Sequence, residues 1–277
     1  MSDDKLVEIH QSDWTKLRDL YAHRDTDPQG YPCINNFINW VEKDPDLKVK
    51  FYSLNGDWEK DGTFVLTFDL GIPTKHLYFN TLSDNLERVT KGLECLTFVN
   101  GEFNFFGFCS RLKPIVEHIN KKFYSTNELA IVETVWYGAS KELIDTFTIE
   151  LPSGITLLNL AVEDAETINE IWPHKGPGSI NFVRLLIRQN TCLGAYDDSG
   201  KLVAWCLRLP IGSLGLLQVL ESHKRLGLGS LLVKSMAKKI SALGDQVTAP
   251  VVTANTASRN MFEKIGFRPI DTTYWAG

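Results

Sequence analysis

Gly227 and Gly229 stand where a short apolar run, Leu216–Leu220, gives way to an amphipathic one in which Leu228, Leu231, Leu232, Met236, Ile240 and Leu243 recur at helical spacing. A strand that passes through a glycine loop into a helix presents several unpaired backbone N–H groups at the positive end of the helix dipole, with no side chain to block approach. That is a seat for an anion, most naturally a phosphate. Lys224 and Arg225 add positive charge at its lip. The plainer reading is that two glycines merely turn the chain, because short glycine motifs recur by chance.

Side chains separate the phosphate loops that this spacing resembles. A Walker loop ends in Gly-Lys-Ser/Thr, and Gly229-Ser230-Leu231 excludes it. A dinucleotide fingerprint needs a third glycine and an acidic residue about 20 residues further on, and only Lys224-x-x-Gly227-x-Gly229 is present. Lys224-x-x-Gly227-x-Gly229 resembles the pyrophosphate loop of the GNAT superfamily of N-acyltransferases, Gln/Arg-x-x-Gly-x-Gly/Ala, with Lys224 in the Gln/Arg place. Further on, Asn255-Thr256-Ala257-Ser258-Arg259-Asn260-Met261-Phe262-Glu263-Lys264-Ile265-Gly266-Phe267 resembles the second signature of that superfamily, Asn-x-x-Ala/Ser-x-x-Leu-Tyr-x-Lys-x-Gly-Phe. The segments LVAWCLRLPIGSLGLLQVL and RPIDTTYW look most like the glycine N-acyltransferase-like branch, and the resemblance covers about residues 190–275.

The resemblance implies that acetyl-CoA or another acyl-CoA is the cosubstrate, with no metal. Its pantetheine arm would lie along the backbone of Leu217, Gln218 and Val219 where two strands splay, with Asn255 bonding the same arm. The pyrophosphate would take N–H groups from Arg225, Leu226, Gly227, Leu228, Gly229 and Ser230, beside Lys224. The implied reaction is attack of a neutral primary amine on the thioester, with the N–H of Val219 or Leu220 stabilising the oxyanion. A base must take the amine proton. By position the candidates are Glu221, Ser222 and His223, with Glu221 foremost. The glycine acyltransferase-like branch tends to carry Pro-Glu here, whereas this chain has Glu221-Ser222, which on a strand turns the carboxylate to the other face.

Phe262, counted among the residues that would touch the cofactor, stands where many members of the superfamily have the tyrosine that protonates the departing thiolate. Its plainer reading is a core aromatic, and Ser258 or Tyr274 would have to substitute as the acid. The acceptor would be a small amine, an amino acid such as glycine, or a protein amine. Trp136, Trp172, Trp205 and Trp275 either line its pocket or fill the core. Because the acid and base positions both depart from the pattern, the alternative is a non-catalytic CoA-binding regulatory module. A structural protein with a vestigial loop is the third reading.

The elements that position these residues form a string that occurs twice. Strand, two helices, hairpin, strand, helix, strand, helix, strand reads from Leu6 to Tyr137 and again from Thr156 to Trp275, offset by about 140 residues. The expected fold class is α/β (α+β): a GNAT-like mixed sheet with a splayed strand pair and flanking helices, in two tandem copies. The expected boundaries are 1–138 for the N-terminal copy, 139–154 for a connecting helix and linker, and 155–277 for the copy that binds coenzyme A. In the N-terminal copy the counterpart of the glycine loop is Thr81–Arg88, which has no glycine and carries Asp84 and Glu87 where a pyrophosphate would sit. That copy reads as degenerate.

Composition is consistent with such an enzyme. Of 277 residues, 43% are hydrophobic and 23% charged, enough to bury a core, and a net charge of −5 disfavours a nucleic-acid partner. Five cysteines without a Cys-x-x-Cys pair give neither a disulfide framework nor a zinc site. No apolar run approaches the roughly 18 residues of a membrane helix, so no membrane partner is expected. The first residues lack a secretory or mitochondrial presequence pattern. The expectation is a cytoplasmic protein, with mitochondria implied only by the family resemblance.

Overall fold

The structure is a computed structural model, and it describes residues 4–22, 27, 29–70, 74–96, 103–124 and 128–277. Residues 1–3, at the start that reads as lacking a presequence, lie outside the described residues. The first set of elements is β1 (Leu6–Glu8), α1 (Trp14–Leu20), α2 (Gly30–Lys43), β2 (Lys48–Leu54), β3 (Phe64–Asp69), β4 (Lys75–Asn80), α3 (Glu87–Glu94), β5 (Phe103–Cys109), α4 (Lys113–Phe123) and β6 (Ile131–Ala139). After α5 (Lys141–Asp145) come β7 (Ile155–Asn159), α6 (Ala165–Ile171), α7 (Ser179–Gln189), β8 (Leu193–Asp197), β9 (Leu202–Arg208), β10 (Leu214–Val219), α8 (Leu228–Ala242), β11 (Val247–Val252), α9 (Thr256–Lys264) and β12 (Arg268–Ala276). The two sets have the same order of strands and helices, so the fold is mixed α/β in two tandem copies.

The chain divides into two compact units, Met1–Thr134 with Asp271–Gly277, and Val135–Ile270. The sequence placed the boundaries at 138 and 154 and kept 271–277 with the second copy. The last residues group with the first unit because their backbone pairs there: Thr273 and Tyr274 stand opposite Cys109 and Phe108 of β5. The indole of Trp275 also donates to Thr134 Oγ1 at 3.2 Å. Alternating side chains reveal which face of a strand is buried but not which strand lies beside it.

In the first unit β1, β2, β3 and β4 pair antiparallel in turn and β4 pairs parallel with β5. The stripe Ile34, Phe37, Ile38 and Val41 of α2 is buried. The helix stops at Lys43, with Pro45 just beyond.

In the second unit β7, β8, β9 and β10 form an antiparallel sheet in that order, and β11 lies beside β6. The β8–β9 turn is closed by Asp197, whose Oδ1 accepts the N–H groups of Ser199 and Lys201. Leu228, Leu231, Leu232, Met236 and Ile240 of α8 are buried in the core of this unit. Each contributes roughly 1.5–3 kcal/mol. Leu243, the sixth member of the stripe, is instead the exposed C-cap, and Gly244 follows it in the left-handed conformation with φ 82°.

Candidate functional site

The site is organised by β10, whose two ends behave differently. At its beginning it is tied to β11: Ser213 Oγ and Thr248 Oγ1, both buried, are 2.6 Å apart. Nearby, the buried guanidinium of Arg208 donates to Asp245 Oδ2 at 2.6 Å. Beyond this tie β10 and β11 share no backbone pairing, and each is the terminal strand of its own sheet order. Two strands held at one end and unpaired along their length form a wedge, with bare peptide groups along its walls.

A bulge turns the backbone of β10 in that wedge. Gly215 stands opposite Leu207 and Gln218 opposite Trp205, so Leu216 and Leu217 together face Cys206. Leu216 has φ 47°, in the left-handed region that costs a side-chain-bearing residue about 1–2 kcal/mol. Strain of this kind persists where the surroundings impose it and often marks a working site.

Past the bulge the ladder resumes, with Val219 opposite Ala204, and the Leu220 N–H donates to the Val203 carbonyl at 2.8 Å. Opposed residues in an antiparallel pair alternate between bonded and unbonded. Since Leu220 and Val203 are bonded, Val219 and Ala204 are not, and the Val219 N–H points away from β9 toward the open edge. Of the two N–H groups expected to stabilise an oxyanion, Leu220 is therefore excluded because it is spent on the sheet. Val219 remains.

The loop after β10 leads to the helix start without filling it. Arg225 has φ 66° and Gly227, the N-cap of α8, has φ 78°. The first turn contains neither a capping side chain nor an acidic residue. The first bond into the helix is Leu231 N–H to the Gly227 carbonyl, which leaves the N–H groups of Leu228, Gly229 and Ser230 without partners inside the helix. A Cβ at Gly227 would meet nothing within 4 Å, so the space above this turn is open. Gly229 serves close packing instead: a Cβ there would meet Met261 Sδ at 3.1 Å and Val219 Cγ2 at 3.8 Å. The start of α8 thus lies close to Val219 at the end of β10.

Residues 192–276 match the family described as FR47-like protein. The X-ray structure of a Drosophila protein is similar over 99% of this chain and 98% of its own, at a TM-score of 0.87 and 24% identity. A tandem GNAT protein from the clavulanic acid biosynthesis pathway has a TM-score of 0.55 at 13% identity, covering 99% of this chain and 98% of that one. The chain has the GNAT fold. A GCN5-related N-acetyltransferase from Sphaerobacter thermophilus is similar to the same extent, with a TM-score of 0.55 at 12% identity over 100% of this chain and 96% of that one. No curated protein sequence matches.

The two GNAT copies are not equivalent. In the first, β4 and β5 are bonded through Lys75–Phe103, His76–Asn104 and Leu77–Phe105, where their counterparts β10 and β11 are unpaired. Past the end of β4, the guanidinium of Arg111 donates to the carbonyls of Thr81 and Ser83 and to buried Asp27. Glu87 opens α3, its N–H bonded to Asn85 Oδ1 at 2.9 Å. The carbonyls and carboxylate of this copy are satisfied internally by an arginine. It is the degenerate copy.

In the second GNAT copy Asn255 caps α9, its Oδ1 accepting the Ser258 N–H at 3.1 Å, which leaves its amide as the donor. Phe262 is 3% exposed, stacked on Tyr137 with centroids 5.8 Å apart and edge-on to Phe267 at 5.2 Å. It packs in the core, as the plainer reading held. The Tyr137 hydroxyl donates to Glu263 Oε1 at 2.6 Å, and burial with this carboxylate raises its pKa.

Glu221 is on a 3-10 turn, Glu221–His223, because β10 ends at Val219. The strand-face reading of its shift by one residue therefore does not apply. Its carboxylate is 87% exposed and 2.6 Å from Lys224 Nζ. Ser222 Oγ is 2.9 Å from His223 Nδ1.

Ser258 is half-buried in the first turn of α9. Tyr274 belongs to the first unit, stacked on Phe108, and is not grouped with α9. Trp136 and Trp205 are core residues, Trp172 stacks on Phe182, and Trp275 lies with the first unit. Among the described residues no cluster of His, Cys, Asp and Glu could hold a metal ion, and no helix is long and apolar enough to cross a membrane.

Sequence reasoning missed the bulge at Leu216, the Arg208–Asp245 pair, and a cavity of about 430 Å³ beside Ser230, Lys234 and Lys264. Nothing in the composition of the strand marks the bulge. Lys264 stood inside the quoted signature, but its neighbours could not be read from it.

Proposed function

We propose that the C-terminal copy is an N-acyltransferase site that moves an acetyl or other short acyl group from acyl-CoA to a primary amine. The acceptor is a small amine, an amino acid such as glycine, or a protein amine. One observation carries this reading: the open edge of β10, with the Val219 N–H, runs directly to the bare first turn of α8. A thioester arm and a diphosphate need just these two kinds of donor in succession.

The residues present fit the group. Leu217 and Val219 offer backbone to the pantetheine arm and Asn255 its amide, whereas Gln218, opposite Trp205 in a bonded pair, turns its backbone to β9 and drops out of that set. Arg225, Leu226, Gly227, Leu228, Gly229 and Ser230 line the diphosphate seat, with Lys224 at the lip. When bound, acyl-CoA supplies an acyl carbon activated toward amines. The Val219 N–H is placed to hold the thioester oxygen as negative charge develops on it. In the net change one C–N bond replaces one C–S bond, one proton leaves the amine nitrogen and one reaches the thiol sulfur. Glu221, exposed at the end of the strand, is the group assigned the first proton, and Ser258 the second.

The test is release of free thiol from acetyl-, benzoyl- and long-chain acyl-CoA across a panel of amines. Amine-dependent release, reduced in Glu221→Gln, supports the reading, and none with any amine or donor overturns it. The burial of Phe262 favours a second reading, a coenzyme-A-binding regulatory module without chemistry. It predicts that the ligand binds and is never turned over.

A further inference from the structure

A cavity of about 430 Å³ opens beside the first turn of α8, lined by Thr146, Phe147, Thr148, Ser230, Lys234 and Lys264. That volume lies within the range of roughly 300–1,000 Å³ typical of small-molecule sites. Three separate segments build it: the stretch after α5, the N-terminal half of α8, and the last residue of α9. Ser230 belongs to the unpartnered turn, and Lys234 stands one turn further along the same helix face.

Two cations line this cavity, Lys234 and Lys264. Lys141 and Lys224 each have a carboxylate partner, Asp145 and Glu221. Among the described residues Lys234 and Lys264 have none. Lys234 is instead held over the Phe147 ring, its Nζ 5.7 Å from the centroid, an arrangement that positions a cation without neutralising it. Two lysines, the hydroxyls of Thr148 and Ser230, and a helix start lacking acidic residues make an environment suited to a phosphate monoester rather than to a neutral or cationic group.

We infer that this cavity reads the 3′-phosphate on the nucleotide end of acyl-CoA, so that Lys234 and Lys264 discriminate coenzyme A from 3′-dephospho-coenzyme A. The inference rests on the function proposed above and adds a determinant of cosubstrate choice to it. The diphosphate on the α8 turn brings the adjoining nucleotide to this cavity, and the segment Thr146–Thr148, from the connection between the two copies, supplies one of its walls. Phe147 acts as a positioning residue through Lys234.

The test is calorimetric titration of the full chain with coenzyme A and with 3′-dephospho-coenzyme A, for the unmodified protein and for Lys234→Gln, Lys264→Gln and the exposed control Lys239→Gln. The unmodified protein should bind coenzyme A at least tenfold more tightly. Lys234→Gln and Lys264→Gln should each weaken coenzyme A by roughly tenfold, the size of one charge-assisted hydrogen bond, and leave the dephospho form unchanged. Lys239→Gln should keep the preference, and the preference should shrink as salt is raised. Equal affinity of the unmodified protein for the two ligands overturns the inference while leaving the proposed function standing. So does an equal loss of both ligands in the lysine variants. If the unmodified protein binds neither ligand, the proposed function falls and the inference with it.

Discussion

Ser213 Oγ and Thr248 Oγ1, 2.6 Å apart and both buried, tie β10 to β11 at the point from which the two strands part. The contact sets the closed end of the wedge, and its loss leaves a hydroxyl buried without its partner. Thr248→Val keeps the shape of the side chain and removes only the oxygen. It should lower stability by about 1–3 kcal/mol, read as a shift of the urea midpoint without a change in slope. A double-mutant cycle with Ser213→Ala should recover part of that loss, because removing both hydroxyls leaves neither one unsatisfied.

Gly227 separates backbone cost from ligand cost. At φ 78° any side chain is strained, yet a Cβ there meets nothing within 4 Å. Gly227→Ala should therefore cost only the conformational penalty, about 1–2 kcal/mol, measured by thermal or urea unfolding. Gly227→Asp carries the same penalty and adds a carboxylate to an anion seat. It should be at least as stable as the alanine variant, because a carboxylate at a helix start is favourable, while its affinity for coenzyme A is abolished. Equal binding by the two variants would remove the diphosphate from this turn.

Much of the fold was legible in the sequence for a physical reason: each copy repeats the same order of periodicities, and periodicity follows directly from side-chain burial. The helix stripe of α8, the α2 stop before Pro45 and the Asp197–Gly200 turn are all local. The bare first turn of α8 was legible too, because glycines at 227 and 229 leave a signature in one dimension. What the sequence did not show depends on pairing across distance. That β12 ends in the first unit, that Leu216 and Leu217 share Cys206, and that Leu220 rather than Val219 is bonded to β9 are facts of register. The same holds for Lys234 and Lys264, which are 30 positions apart in the chain but line one cavity.

Acid should weaken the protein through His76. The ring is buried against Phe106, stacked at 4.6 Å and 15°, and burial pushes its pKa down to about 4. An unfolded histidine titrates near 6.5. Between these values the unfolded chain takes up a proton that the folded one refuses, so stability falls as pH drops through about 6.5 toward 4. The full loss is about 3 kcal/mol. His76→Phe keeps a stacked ring and cannot be protonated. The difference in urea midpoint between pH 7 and pH 4.5 should be smaller in this variant than in the unmodified protein, and an equal difference would clear His76 of the effect.

Val219 and Leu220 differ in what their N–H groups do, and proline can remove either one alone. Leu220 donates to the Val203 carbonyl at 2.8 Å, so Leu220→Pro breaks a ladder bond. It should lower stability along with everything else the protein does. Val219 points its N–H to the unpaired side of an edge strand, a place where proline is tolerated. Val219→Pro should fold with an unfolding midpoint close to that of the unmodified protein and still bind coenzyme A. Its acyl transfer should nevertheless fall by about 10²–10³ in kcat, as for the loss of one oxyanion donor, with little change in KM for the amine. Unchanged kcat in a folded Val219→Pro variant would show that the open edge of β10 holds the ligand without stabilising the charge that develops on it.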